Sequence, residues 1–346
     1  MNIVYRYLRE LAGATIGGWN RFWFSASDPA TLGLVRILAG SMLLYTHLVW
    51  TLDLDAFFGR DAWVSPSAAA SLMRGDSAWS YLWLVDSRWL LWTLHLAALA
   101  VFAMMAIGLY SRVVTVLAFF IAVAYANRVP GALFGLDQIN TMLAMYLMLG
   151  PSGAAYSVDR WLAARRAGKP LPVSAPSVSA NLAVRLIQGH MCIIYFFAGL
   201  SKMQGETWWA GSALWGAFAN LEYQSLDMTW LASWPLLVAL ATQLTVWWEL
   251  AFAVIIWPRV LRPLVLVIAI PLHLGIGICL GMMTFGLVML IGCTAFLPPE
   301  WVRAMLDRRA GQGRAGESPA LEARPADAAI PRRRPAAERP SAGQRR

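Results

Sequence analysis

Apolar runs long enough to cross a bilayer recur along this 346-residue chain, near 31–52, 89–109, 183–203, 233–257 and 262–280. About 20 helical residues span the hydrocarbon core. A backbone in lipid must satisfy its own N–H and C=O groups, which a helix does within one segment. Shorter runs at 112–126, 138–150 and 282–297 bring the expected number of spans to eight, give or take one. The fourth and eighth are short enough to be tilted or re-entrant. Only 14% of residues are charged and 59% are hydrophobic, whereas soluble domains carry about a quarter charged residues. The expected fold is therefore all-α, a polytopic transmembrane helix bundle with a disordered C-terminal tail.

The formal net charge of +9 invites a nucleic-acid reading, but its distribution argues against one. Residues 303–346 hold 11 Arg against five acidic residues, so two thirds of the excess sits in a Pro/Ala/Arg-rich tail without apolar periodicity. Such a composition cannot offset its ordering entropy. Residues 1–30 read as an interfacial amphipathic segment, 31–302 as the membrane domain and 303–346 as the tail. Loops retained in the cytoplasm carry the excess of Lys and Arg. With eight spans, Arg6, Arg9 and Arg21, then Arg112, then Arg160, Arg165, Arg166 and Lys169, then Arg259 and Arg262, then the tail all fall on one side. An inner-membrane location with both termini cytoplasmic is expected, with membrane lipids as partners and no nucleic acid.

An ionisable side chain at membrane depth is costly and marks a functional candidate whose partner must be named. The expected spans contain Arg36, His47, His95, His190, Lys202, Glu249 and His273, including all four histidines of the chain. Arg36 and Glu249 are expected to form a structural ion pair tying the first and sixth spans, because such residues usually pair inside bundles. For a single histidine, a hydrogen bond between helices is the plainer role. No metal-ligand spacing occurs, and no metal is expected. Lys202 differs in type: the chain has 26 Arg and only two Lys, the other being Lys169 in a basic loop. Arginine keeps its charge, whereas a desolvated lysine can release its proton and act as a base. The plainer reading is a lysine snorkelling to the interface from a helix end.

The segment IYFFAGLSKMQGETWWAGSALW, residues 194–215, resembles the membrane motif of vitamin K-dependent gamma-carboxylases and of their bacterial relatives, the horizontally transferred transmembrane domain proteins. LAALAVFAMMAIGLYSRVVTVLAFF (96–120), YSVDRWLAARR (156–166), PLHLGIGICLGMMTFGLVML (271–290) and PPEW (298–301) follow in the same order with similar spacing. The resemblance covers roughly residues 20–307. It implies that Lys202 matches the lysine held to deprotonate vitamin K hydroquinone, with His273 falling on a histidine of the same pattern. A reduced, vitamin K-like quinone is thereby implied as the molecule acted on. The stretch FGLDQINTMLAMY carries Asn140 near the place where the animal enzymes have a histidine.

Two functional classes follow. The first is a carboxylase-like membrane enzyme in which Lys202 is the general base on a quinol or lipid-like substrate and His273 orients it. Trp208 and Trp209 would wall the pocket, with His47, His95 and Asn140 as further substrate contacts. The second is a non-catalytic bundle that binds lipid, anchors a partner or moves a solute. The charge requirement at position 202 separates them: only the first forbids Lys202→Arg.

Overall fold

A computed structural model describes residues 3–73, 77–170 and 172–310. Helix α1 (Ile3–Phe24) has no buried residue. It precedes α2 (Ala30–Trp50), whose inward face carries Leu32, Val35, Ala39 and Leu43. The connection that follows holds two short helices, α3 (Leu54–Phe58) and α4 (Pro66–Leu72). The Ser87 hydroxyl caps α5 (Arg88–Ile107), which ends at Gly108 in the left-handed region with φ +73°. Glycine is suited to that closing conformation because it has no Cβ.

Helices α6 (Ser111–Arg128) and α7 (Gly135–Leu149) pack against each other and lead to α8 (Val158–Ala167). The side chain of Ser177 caps α9 (Val178–Lys202) at its first turn. Two short helices follow, α10 (Glu206–Trp209) and α11 (Ala213–Phe218), where the sequence leaves a half-span or an interfacial helix open. Next come α12 (Pro235–Ile255), α13 (Arg262–Cys279), α14 (Met283–Cys293) and α15 (Pro299–Ala310). Helix α9 lies along α12, α2 along α5, and α13 along α14. No strand occurs among the described residues, only one antiparallel bridge between Ser27 and Ser177.

Among the described residues, six helices are long and apolar enough to cross a membrane, or seven if α14 and α15, bent by 112°, count as one span. The expected eight runs all become helices, but α7 with 15 residues is roughly 22 Å long, short of the hydrocarbon thickness. Helix α14 has only 11 residues. The tail expected from 303 starts within α15, so residues 303–310 are helical; the rest of it lies outside the described residues.

The bundle is drawn together where small residues let backbones approach. A Cβ on Gly40 would meet the Ala106 backbone nitrogen at 2.7 Å, which places α2 and α5 in near backbone contact. Close approach through small residues is a recurrent means of helix association in membranes.

Candidate functional site

Three polar centres occur inside the bundle, and the sequence anticipates their residues better than their pairings. The first is built where α9 ends against α12. Lys202 Nζ lies 3.0 Å from Oε1 and 2.8 Å from Oε2 of Glu249, so one ammonium spans both carboxylate oxygens. Their side chains are 24% and 9% exposed. The expected Arg36–Glu249 pair is thus not formed. Arg36 instead donates to the carbonyls of Ser152 (3.1 Å) and Tyr156 (2.6 Å), and its guanidinium lies against Gly108, where an added Cβ would meet Nη1 at 2.3 Å. The left-handed glycine leaves the space that the arginine fills. Its electrostatic partner is Asp159, which anchors the start of α8.

Lys202 and Glu249 open into a cavity of about 440 Å³. Trp208, Trp248, Leu244, Pro271 and Phe285 are among its lining residues. Lys202 Nζ lies 5.4 Å from the Trp208 ring centroid, within cation–π range. Thr245, another lining residue, already donates to the Ala241 carbonyl. The lining is otherwise apolar or aromatic apart from the ion pair. Leu244, 60% exposed, and Pro271 give the cavity an apolar edge at the outer surface of the bundle. Pro271 within α13 has no N–H to offer the preceding turn, which loosens the helix beside the cavity.

Trp209 does not wall this space. It is exposed, and its indole Nε1 donates to the Met203 carbonyl at 2.6 Å, stapling α10 to the end of α9. His273 also stays behind the lining. Its Nε2 meets the Tyr195 hydroxyl at 2.6 Å, and that hydroxyl lies 3.3 Å from Cys293 Sγ. His273 therefore reaches the ion pair through space, not by contact. Tyr195 and Trp248 were not singled out by sequence reasoning. Tyr195 sits seven residues before Lys202, two turns back on the same helix face, which is the one signal that placed it near the site. The Trp248 indole Nε1 and His273 Nδ1 are buried without hydrogen-bond partners among the described residues.

The second centre holds the other expected substrate contacts. His95 Nε2 meets Thr51 Oγ1 at 2.9 Å and its Nδ1 meets the Tyr125 hydroxyl at 2.8 Å. His47 Nδ1 meets the Leu43 carbonyl at 2.8 Å, and the His47 ring packs 4.7 Å from that of Tyr125. His47 and Asn140 border a cavity of about 20 Å³ that shares no lining residue with the Lys202 cavity. That is room for about one water. His47, His95 and Asn140 therefore lie at a separate place: His95 links α5 to α6 and to Thr51 just after α2, His47 bonds back within α2, and the buried Asn140 Oδ1 has no hydrogen-bond partner among the described residues. His190 is likewise bonded between helices, its Nδ1 3.0 Å from the Tyr146 hydroxyl.

The third centre is Arg128, two residues beyond the expected run 112–126 and fully buried at the end of α6. Its guanidinium donates to the carbonyls of Val64 (2.9 Å) and Gly59 (3.1 Å), pinning the long connection after α2 onto the bundle. Outside the spans, Asp159 accepts from the backbone N–H of Tyr110 and Ser111 and from the Ser111 hydroxyl, at 2.7 to 2.8 Å. Partial burial works to raise its pKa, but these donors and the Arg36 charge outweigh it and hold the carboxyl below its usual range.

No curated protein and no solved structure matches this chain. The model of the HTTM domain family matches residues 24–301. That range takes in all three polar centres and most of the chain, so the protein is an integral membrane protein that belongs to the HTTM domain family.

Proposed function

We propose that the Lys202–Glu249 pair is the acid–base unit of a carboxylase-like membrane enzyme acting on a hydroxyl of a lipid-soluble, quinol-like substrate. The observation that carries this reading is a single ion pair opening into an otherwise apolar cavity of about 440 Å³ with an apolar outer edge. Removing two charges from water is costly, and a well-packed apolar contact would tie α9 to α12 at least as well, so stability alone does not account for an ion pair at this cavity. A substrate with an apolar ring and tail would enter from the bilayer past Leu244 and Pro271 and present its hydroxyl to Lys202 Nζ. A cavity of this kind, mostly apolar with a few polar groups at one end, is the usual form of a small-molecule site.

In the resting pair one proton lies between the amine and the carboxylate, as ammonium and carboxylate with no net charge. When Lys202 passes its proton to Glu249, its amine becomes free to accept the substrate's proton. The pair then holds two protons and a net charge of +1 beside the new oxyanion, which the ammonium stabilises in a medium of low dielectric. Tyr195 and His273 act as positioning residues, fixing α9 against α13 at the depth of the pair.

The test is mass-spectrometric detection of quinone epoxide after membranes containing the protein are incubated with reduced naphthoquinone, oxygen and bicarbonate. Oxygen oxidises the quinol to the epoxide with release of one water. Epoxide from the wild type and background from Lys202→Ala supports the reading. Background from both, with the protein folded, contradicts it and favours a non-catalytic lipid-binding bundle.

A further inference from the structure

At the other end of α9 a second large cavity, of about 450 Å³, gathers cations in place of a neutral pair. Arg185, Arg259 and Arg262 line it, with Asp28 and Glu300 as the acidic members. Asp28 is already engaged, its two oxygens each 2.7 Å from the Arg303 guanidinium. Among the described residues, no carboxylate lies within ion-pair distance of Arg185, Arg259 or Arg262. Arg185 is held in place by neutral groups alone. Its Nη1 donates to Gln188 Oε1 at 2.9 Å, and its guanidinium carbon lies 4.4 Å from the Phe22 ring centroid and 5.8 Å from that of Trp257. Gln188 in turn donates to the Ala295 carbonyl at 2.8 Å, so the support is itself anchored. Arg185 Nε has no partner. Arg262 is fixed by donating to the carbonyls of Ile256 (3.2 Å) and Trp257 (3.0 Å).

We propose that this cavity is a binding site for a phosphate group, with the headgroup of an anionic phospholipid as its ligand. Glu300 acts on Arg262 through space and offsets part of the repulsion, but three guanidiniums against one unengaged carboxylate leave an excess of positive charge that a bound anion would balance. The planar donor fork of arginine matches phosphate oxygens two at a time. Basic pockets between transmembrane helices near the membrane surface suit lipid headgroups. The location agrees: the exposed amphipathic helix α1 ends at the cavity through Ser25 and Ser27, and Trp301 lies on its rim. Tryptophan favours the membrane–water boundary. From Arg185 to Lys202 is 17 residues of helix, roughly 25 Å, so this site is separate from the proposed acid–base centre.

The test is native mass spectrometry of the full chain purified in detergent, titrated with phosphatidylglycerol, phosphatidylcholine or inorganic phosphate. The variants are Arg185→Gln, Arg259→Gln and, as a control at an exposed arginine elsewhere, Arg112→Gln. Arg259 is exposed, so its loss leaves the fold intact and keeps the comparison meaningful if Arg185→Gln unfolds. The expected result is retention of one phosphatidylglycerol, at least tenfold weaker in both cavity variants and unchanged in Arg112→Gln. Phosphate competing at millimolar concentration with the same arginine dependence would place the affinity in the phosphate and not the acyl chains. Equal retention of phosphatidylglycerol and phosphatidylcholine, or equal phosphatidylglycerol retention in all variants, overturns the proposal.

Discussion

Lys202 and Arg36 are both cations inside the bundle, and they are satisfied in opposite ways. Arg36, with no exposed surface, spreads its charge over two backbone carbonyls and fills the space left by a glycine; Arg128 repeats the device on another pair of carbonyls. The carbonyls cannot accept a proton at any ordinary pH, and Asp159, the carboxylate that acts on Arg36 through space, is itself held by the Tyr110 and Ser111 donors outside the spans. Lys202 faces a carboxylate and an open cavity. The two residue types differ in kind: arginine keeps its charge, whereas lysine is the one that could give up a proton, which is what the proposed acid–base role requires.

The largest effect that would break this comparison is on stability at Arg36. Arg36→Met leaves the carbonyls of Ser152 and Tyr156 without donors and empties the space beside Gly108. A cost on the order of 3 kcal/mol is expected from the two charge-assisted bonds, read as a lowered unfolding temperature in detergent. A variant as stable as the wild type would show that the arginine is not structural.

Lys202→Met should be much milder for the fold, about 1 kcal/mol, because Glu249 left alone can take up a proton and become neutral. Its loss should appear in turnover instead. If unfolding temperatures fall as far as for Arg36→Met, the ion pair is a structural tie and the contrast fails.

Tyr195→Phe removes the hydroxyl's bonds to His273 and Cys293, at a net cost of about 1 kcal/mol. Epoxide yield should fall only a few-fold, since neither residue touches the cavity. Complete loss would move His273 into direct contact with substrate.

The least effect is that of pH on the two surface anchors. Asp28 is partly buried, which works to raise its pKa, but its bonds to Arg303 and the Ala30 N–H hold it below the usual value of 3.8, and Asp159 is lowered likewise. Folded-state pKa values below the unfolded value contribute stability that is complete above about 4 and lost as pH falls further. Unfolding temperature should therefore be insensitive to these two groups from pH 5 to 8 and drop below pH 4. Mutating Asp28 to Asn should flatten part of that drop.

The residues of these centres were largely readable in the sequence, and their partners were not. Polar side chains stand out in apolar runs, so Arg36, Lys202, Glu249 and the four histidines could be named from composition alone. Which helix faces which depends on rotation and depth. Glu249 is far in sequence from both Arg36 on α2 and Lys202 on α9, and no spacing rule chooses between them as its partner. Arg128 lies beyond the apolar run, which ends at residue 126, yet the helix continues two residues further and brings its guanidinium onto the Gly59 and Val64 carbonyls. Arg185 passed unnoticed within an expected span, since a single arginine near a helix end carries no pattern by itself. The two short spans were flagged by length, which is the property that helix geometry sets directly.

The most direct measurement of the central claim is epoxide formation by Lys202→Arg, compared with wild type at matched folded protein. Arginine at 202 keeps the positive charge beside Glu249 but does not give up its proton. The account predicts a folded protein, with an unfolding temperature near that of the wild type, and epoxide at background. Wild-type epoxide yield from Lys202→Arg would contradict it, because a fixed charge would then be all that position 202 supplies.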